Sequence, residues 1–247
     1  MTAIVPRQEL IVRAEDLVAA GDLGAVAALL RPALAQVRAN AVPAAAVDTA
    51  VLYAHALTGT GHPTAAADWA GWAHTRSRHH HGPEHPTTVR ALGVLAAALL
   101  ACGRSRPAAA CYRDLTAALT SVDGPSSPRT LAARADLATA LHHAGTCATA
   151  HGELTDAWRT RRTQAGDNDH LTIRMLTRLA GMYRDCAEPH LATHHYRQAL
   201  HLASAHPDPL RQQVQHAATR PPRHDHAAVC TYQPPSRRAA SNPRPIS

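Results

Sequence analysis

The sequence repeats itself at Gly82-Pro83-Glu84-His85-Pro86-Thr87-Thr88, Gly124-Pro125-Ser126-Ser127-Pro128-Arg129-Thr130 and Gly166-Asp167-Asn168-Asp169-His170-Leu171-Thr172. The opening glycines stand at positions 82, 124 and 166, so they are 42 residues apart, and the closing threonines keep the same interval. A fixed period of this length is typical of stacked repeat proteins, in which each unit buries its apolar face against the next. The spacing therefore predicts a solenoid, a fold that usually presents a surface to another molecule.

Each 42-residue unit contains two stretches of apolar residues at helical spacing. In the unit that begins near Pro86, the first stretch ends at Gly103, a residue that accepts the left-handed backbone of a helix end. The second stretch starts near Pro107, a residue that the first turn of a helix tolerates. The apolar positions of this unit are Leu92, Leu95, Ala96, Leu99, Ala108, Tyr112 and Leu115. Each unit is thus predicted to be a helical hairpin.

This pattern resembles the tetratricopeptide repeat (TPR), and the long period and linker resemble the variant found in kinesin light chains. The last unit matches best, through Leu176, Leu179, Ala180, Tyr183, Ala192, Tyr196 and Ala199. Two positions depart from the pattern, since Ala187 replaces a turn glycine and Arg134 occupies a usually apolar position. The resemblance implies an all-α fold, an α/α superhelical solenoid of about five hairpins. The predicted units are residues 7–38, 44–80, 86–122, 128–164 and 170–205, followed by a capping helix at 206–219 and a disordered Pro- and Arg-rich tail at 220–247.

Composition limits the cellular setting and the class of partner. All 25 basic residues are Arg, a bias typical of GC-rich genomes such as those of actinobacteria, and the formal net charge is +7. Five cysteines without a CxxC pair, the lack of a signal-peptide pattern and the lack of a long apolar run predict a cytoplasmic protein with free thiols and no membrane partner. Few aromatic residues are available for base stacking, so nucleic-acid binding through Arg is a disfavoured alternative.

The sequence lacks the motifs that indicate catalysis. We find no phosphate loop, GxSxG elbow or paired-carboxylate signature, so the chain is predicted to be non-enzymatic and to need no cofactor. No carboxylate or Cys completes a ligand pattern around the clusters at 79–85 and 190–201, so these histidines are interpreted as solvated or structural and no metal site is predicted. Cys147, beside His142 and His143, lacks an orienting Asn or Asp for a catalytic pair. Cys102 and Cys186 occupy equivalent repeat positions and are predicted to be buried, inert thiols.

A concave groove is the predicted binding site. The resemblance implies that the first helix of each hairpin lines this groove, at positions away from the packing stripe. Those positions are Asp48, His55, Arg90, Thr139, His142, His143, Arg174, Thr177, Arg184 and Asp185. Because Arg binds carboxylates with two hydrogen bonds, an acidic or C-terminal peptide would suit the groove. The alternative is that these are ordinary exposed polar residues.

The predicted function is that of an adaptor that holds a peptide or protein segment. A regulatory or sensor module acting with a signalling ATPase or transcription regulator is the alternative within the same fold. Trp69 and Trp72, three residues apart on a second helix, are predicted either to pack between repeats or to form an exposed contact surface.

Overall fold

The computed structural model describes residues 7–35, 46–223, 226, 230 and 232, and the regular secondary structure within these ranges is entirely helical. The helices are α1 (Arg7–Ala19), α2 (Leu23–Ala35), α3 (Ala46–Gly59), α4 (Pro63–His81), α5 (Pro86–Ala101), α6 (Ser105–Asp123), α7 (Pro128–His143), α8 (Cys147–Ala165), α9 (His170–Asp185), α10 (Pro189–Ala203) and α11 (Asp208–Thr219). The all-α class predicted from the sequence is confirmed. No helix in the described ranges is both long and apolar enough to span a bilayer.

The helices pack as consecutive hairpins in two compact units. The first unit, up to Pro125, contains the pairs α1–α2, α3–α4 and α5–α6. The second, from Ser126, contains α7–α8 and α9–α10, with α11 packed on α9 and α10. Thus α11 lies in the segment for which a capping helix is predicted. Residues 36–38 and 44–45 of the predicted repeats lie outside the described residues, as does most of the predicted tail.

Small residues allow the two helices of a hairpin to approach closely. Ala96, Ala138 and Ala180 occupy equivalent repeat positions and are fully buried. The larger Tyr112 and Tyr196, on the second helices, are also buried. Since protein interiors are close-packed, an added methylene at the alanine positions would have to displace a neighbouring helix.

The turn inside the last hairpin keeps its shape without glycine. At the equivalent turn, Gly103 has a φ of 74°. Ala187 adopts a φ of 58°, a left-handed conformation that L-residues with a side chain disfavour. Two backbone hydrogen bonds hold it there, from Ala187 N to Arg184 O (3.2 Å) and from Glu188 N to Tyr183 O (2.9 Å). These are the paired bonds that close a helix in the Schellman motif, so the motif is retained with strain at Ala187.

The linker residues cap the first helices. Ser127 accepts a hydrogen bond from the backbone N–H of Thr130, and Asp169 accepts one from that of Thr172. The threonines at positions 88, 130 and 172 are at most 1% exposed. Thr88 shares a hydrogen bond of 2.7 Å with the buried hydroxyl of Ser77. These threonines therefore belong to the packed starts of the first helices.

Arg134, the second departure from the repeat pattern, is accommodated by an ion pair across its hairpin. Its Nε and Nη2 atoms donate to Oε2 of Glu153 on α8, at 3.2 and 3.1 Å. Both side chains are half-buried. A charge-assisted pair therefore replaces the apolar contact usual at this position.

The tryptophans of α4 pack into the first unit. Trp69 lies edge-on to Tyr53, with 5.9 Å between ring centroids, and edge-on to Trp72 at 6.0 Å. Both tryptophans are partly buried against the core of α1–α5. The packing alternative is therefore correct for this pair.

Candidate functional site

The predicted groove residues of the first unit pair largely with one another. Arg90 on α5 forms an ion pair with Asp48 on α3, and its Nη1 lies 3.8 Å from Oε1 of Glu15. Asp48 also accepts a hydrogen bond from Thr87 at 3.3 Å. His55 is exposed. Asp48 and Arg90 therefore neutralise each other on this face, while both side chains stay partly exposed.

The pairing of Asp48 with Arg90 follows the repeat. The two residues are 42 positions apart, which is one period, so stacking of hairpins brings them together. The second unit contains the same kind of pair, since Nη1 of Arg178 lies 2.6 Å from Oδ1 of Asp136, again one period earlier. Carboxylates of one hairpin thus bind the arginines of the next.

The predicted residues of the second unit surround two adjoining hollows. One, of about 180 Å³, is lined by Thr139, His142, His143, Thr177, Arg178, Gly181, Met182, Arg184, Asp185, Tyr196, Ala217 and Arg220. The other, of about 120 Å³, is lined by Arg174, Thr177, Arg178, Leu210, Gln213 and Val214. Because they share Thr177 and Arg178, the hollows form one trough along α7, α9 and α11. We call it the α9 trough.

The guanidinium group of Arg184 is occupied by hydrogen bonds within the protein. Its Nη1 atom donates to the hydroxyl of Tyr196 (3.1 Å) and to the backbone oxygens of Ala217 (2.8 Å) and Arg220 (3.1 Å). Its Nε atom donates to Oδ1 of Asp185 at 3.1 Å. The guanidinium group therefore caps the carbonyl end of α11, and this engagement differs from the exposed peptide contact that the sequence predicts.

Arg174 is placed differently from Arg184. It is exposed and makes no ion pair or hydrogen bond with any residue that the structure describes. Partial burial and the nearby charge of Arg178 lower the pKa of Arg174, and the carboxylate of Asp136 offsets part of this effect. Arg174 occupies the repeat position of Arg90, but the residue one period earlier is Ala132 in place of a carboxylate. Its guanidinium group therefore lacks the carboxylate partner that Arg90 has one period earlier.

A second feature of this unit is a buried cluster of two cysteines and two histidines. One donor atom from each of His142, Cys147, Cys186 and His226 lies within 4.8 Å of the others. Sγ of Cys147 is 3.1 Å from Nε2 of His226, and Sγ of Cys186 is 4.0 Å from the same nitrogen. All four residues are less than 9% exposed. His142, a predicted groove residue, thus faces inward and offers little surface to a partner.

Aromatic rings and the carboxylate of Asp185 surround the cluster. The ring of His151 stacks on that of Tyr232 at 3.9 Å, and burial lowers the pKa of His151 to about 3. Burial likewise lowers the pKa of His226 and raises that of Cys186. Neither ring nitrogen of His142 or His151 has a hydrogen-bond partner among the described residues. Burial therefore favours the neutral imidazole of His226 and the protonated thiol of Cys186.

Sequence reasoning missed this cluster because its members are dispersed. His142 and Cys147 flank the turn of one hairpin and Cys186 lies at the equivalent turn of the next, so the repeat register is a signal that could have grouped these three. His226 lies beyond the repeats, in the segment expected to form a solvated tail. The structure differs from that expectation at His226, which is 5% exposed.

Comparison with known proteins finds similar folds among solved structures. No family profile and no curated protein matches the sequence. One similar solved structure is a single-substitution variant of a Podosopora anserina putative kinesin light chain with nearly identical TPR-like repeats. Its TM-score is 0.68 at 16% sequence identity, and the match covers 80% of this chain and 94% of that one. A second structure of such a Podosopora anserina protein gives 0.66 at 17% identity, covering 80% and 95%. BtubC (BKLC) from P. vanneervenii gives 0.64 at 18% identity, covering 82% and 83%.

This chain has a TPR-like helical repeat fold. The resemblance to kinesin-light-chain-like repeats is therefore confirmed for the fold, including the α/α solenoid of consecutive hairpins. Folds of this kind present extended surfaces that suit protein–protein interaction.

Proposed function

We propose that this protein is a non-enzymatic interaction scaffold that binds an acidic peptide segment in the α9 trough. The observation that carries the proposal is the unpaired guanidinium group of Arg174. In a stack of repeats where Arg90 and Arg178 each bind a carboxylate one period earlier, Arg174 has Ala132 at that position. A carboxylate supplied by a partner would complete the same contact.

The shape of the trough supports an extended ligand. Its two hollows, of about 180 and 120 Å³, adjoin at Thr177 and are bordered by apolar side chains such as Met182, Leu210 and Val214. An extended peptide can place alternate side chains in successive hollows while a charged group fixes its register. Specific ligand sites commonly combine an apolar lining with a few placed polar groups, and Arg174 and Thr177 supply such groups here.

None of the five cysteines, all of which the structure describes, forms a disulfide bond. Free thiols favour a reducing compartment, so we place this activity in the cytoplasm. The partner is then another cytoplasmic protein that carries an accessible acidic segment.

Selection from a random peptide library against the full chain tests the proposal. We expect selected peptides to be enriched in Asp and Glu, and the affinity of the best ones, measured by fluorescence anisotropy, to fall about tenfold or more in Arg174→Gln. That loss corresponds to one charge-assisted contact of roughly 1.5 to 3 kcal/mol. Arg159→Gln, on the exposed side of α8, is the matched control and should bind normally.

Ala132→Asp provides a second arm that leaves Arg174 in place. The new carboxylate would bind Arg174 from within, as Asp48 binds Arg90, and should weaken peptide binding to a similar extent while the protein stays folded. Peptides without acidic enrichment, or equal affinity for the parent protein and the Arg174→Gln variant, would rule out the proposed site.

A further inference from the structure

We propose that His142, Cys147, Cys186 and His226 form a tetrahedral zinc site that ties the chain beyond α11 to the hairpin turns of the second unit. Two thiolates and two imidazoles are a ligand set that zinc prefers in structural sites. The four side chains come from the end of α7, the start of α8, the C-cap of α9 and the segment after α11. Their donor atoms converge within 4.8 Å.

The spacing of the donors suits a metal ion at their centre. With Zn–S bonds near 2.3 Å and Zn–N bonds near 2.0 Å, a tetrahedron separates its ligand atoms by about 3.3 to 3.8 Å. The distances from Nε2 of His226 to Sγ of Cys147 and of Cys186 are 3.1 and 4.0 Å, which bracket that range. The remaining donor pairs lie within 4.8 Å, so side-chain shifts of about one ångström or less would complete the coordination.

The environment of the His142 imidazole supports its assignment as a metal ligand. The side chain is 2% exposed, and neither ring nitrogen forms a hydrogen bond with a described residue. A buried polar atom without a partner is costly, and a metal ion would satisfy one nitrogen. Oδ2 of Asp185 lies 3.7 Å from Nε2 of His142, so a small shift would let the carboxylate accept a hydrogen bond from this nitrogen while Nδ1 binds the metal. Metal-bound histidines commonly have such a second partner.

The charge of the occupied site would also suit its burial. Binding of Zn²⁺ would displace one proton from each of Cys147 and Cys186, and the two thiolates with two neutral imidazoles would leave the site without net charge. A neutral centre avoids the desolvation penalty of an isolated buried ion. Because protein ligands would fill all four positions, the site would be structural.

The metal would connect segments that are distant in the chain. Cys147 is 79 positions from His226, and Cys186 is 40 positions from it. Zinc bound only by the folded protein would therefore raise its thermal stability and hold the segment after α11 in place. This inference does not depend on peptide binding, because its test measures metal.

The experiment measures zinc in untagged full-length protein, purified under reducing conditions and gel-filtered with a mild chelator. We expect about one zinc ion per chain, and substitution with Co²⁺ should give the thiolate charge-transfer and strong d–d absorption of a tetrahedral sulfur-ligated ion. Cys186→Ser and His226→Ala should each lose the tightly bound metal and the cobalt spectrum. Circular dichroism shows whether each variant is folded.

Two control variants separate this site from adventitious binding. Cys102→Ser removes the thiol at the equivalent repeat position of the first unit and should retain zinc. The triple substitution of His79, His80 and His81 by Asn removes an exposed histidine run and should retain it as well. Zinc content that is unchanged in folded Cys186→Ser, a parent protein that gives no tetrahedral cobalt spectrum, or a Cys147–Cys186 disulfide in the freshly isolated protein would each overturn the proposal.

Discussion

Sγ of Cys147, at the start of α8, lies 3.1 Å from Nε2 of His226, a residue 79 positions further along the chain. The contact leaves Cys147 fully buried and His226 only 5% exposed. The ring of His226 also lies 4.0 Å from that of His142 and close to the thiol of Cys186. One side chain from outside the repeats therefore covers two thiols of the second unit.

His226→Ala should expose those thiols. In reduced, metal-free protein, we expect the rates at which Cys147 and Cys186 react with a thiol reagent such as DTNB to rise about tenfold or more, since a buried thiol reacts only after local opening. The rates at Cys102 and Cys111, in the first unit, should not change. Mass spectrometry of the labelled protein assigns each rate, and His216→Ala, on exposed α11 surface, is the control. Equal protection of Cys147 in both variants would show that His226 does not cover it.

Arg184→Met should loosen α11. The substitution removes the hydrogen bonds to Ala217 O and Arg220 O but keeps an apolar stem, so we expect a loss of about 2 to 3 kcal/mol in the free energy of unfolding. Hydrogen exchange of the α11 amides should accelerate most. Arg174→Met, which removes no described hydrogen bond, should leave α11 protected. Unchanged exchange in α11 of the Arg184 variant would contradict the role assigned to this residue.

The hairpins could be predicted from the sequence because the signals that define them are local and periodic. Glycines at the turns, alanines at the helix crossings and capping residues in the linkers act within a few residues, and the 42-residue period repeats them. The ion pairs Asp48–Arg90 and Asp136–Arg178 also follow this register, although they become evident only when equivalent positions of adjacent hairpins are compared.

The parts that sequence reasoning missed depend on the chain beyond the repeats. The repeat register places Arg184 among the exposed residues of the groove. In the structure α11 packs over this side chain, and the guanidinium group donates hydrogen bonds to the carbonyl oxygens of Ala217 and Arg220. His142 likewise faces inward because His226 packs against it. Nothing in the 42-residue pattern says where a segment outside that pattern docks, so neither contact follows from periodicity.

Ala187→Gly should stabilise the protein. The left-handed backbone at Ala187 costs about 1 to 2 kcal/mol, whereas the extra freedom of glycine in the unfolded chain costs about 0.5 to 1 kcal/mol. We therefore expect a net gain of about 0.5 to 1 kcal/mol in the free energy of unfolding, measured by urea denaturation. The converse substitution Gly103→Ala, at an equivalent turn where a Cβ would meet no atom within 4 Å, should destabilise through backbone strain alone. A loss of stability in Ala187→Gly would contradict this account of the turn.

Asp169→Asn should weaken the fold in a pH-dependent way. Asp169 accepts hydrogen bonds from Nε and Nη2 of Arg161 at 2.8 and 2.6 Å while also capping α9, and both side chains are mostly buried. The bonds from Arg161 lower the pKa of Asp169 from 3.8 to about 2. Because Asn is also a good N-cap, this substitution chiefly removes the charge, at a cost of about 2 kcal/mol near neutral pH.

The sign of the pH dependence follows from the lowered pKa of Asp169. The stabilisation is fully present above about pH 4, where the carboxyl would ionise in the unfolded chain, and it is lost as the pH falls towards 2, where the folded protein takes up the proton. The difference in unfolding free energy between the parent and Asp169→Asn should therefore be constant from about pH 7 to 5 and roughly halved by pH 3. Asp167→Asn, which removes the exposed pair with Arg162, should change stability little at any pH. A difference for Asp169→Asn that grows on acidification would show that Arg161 does not stabilise the ionised carboxylate.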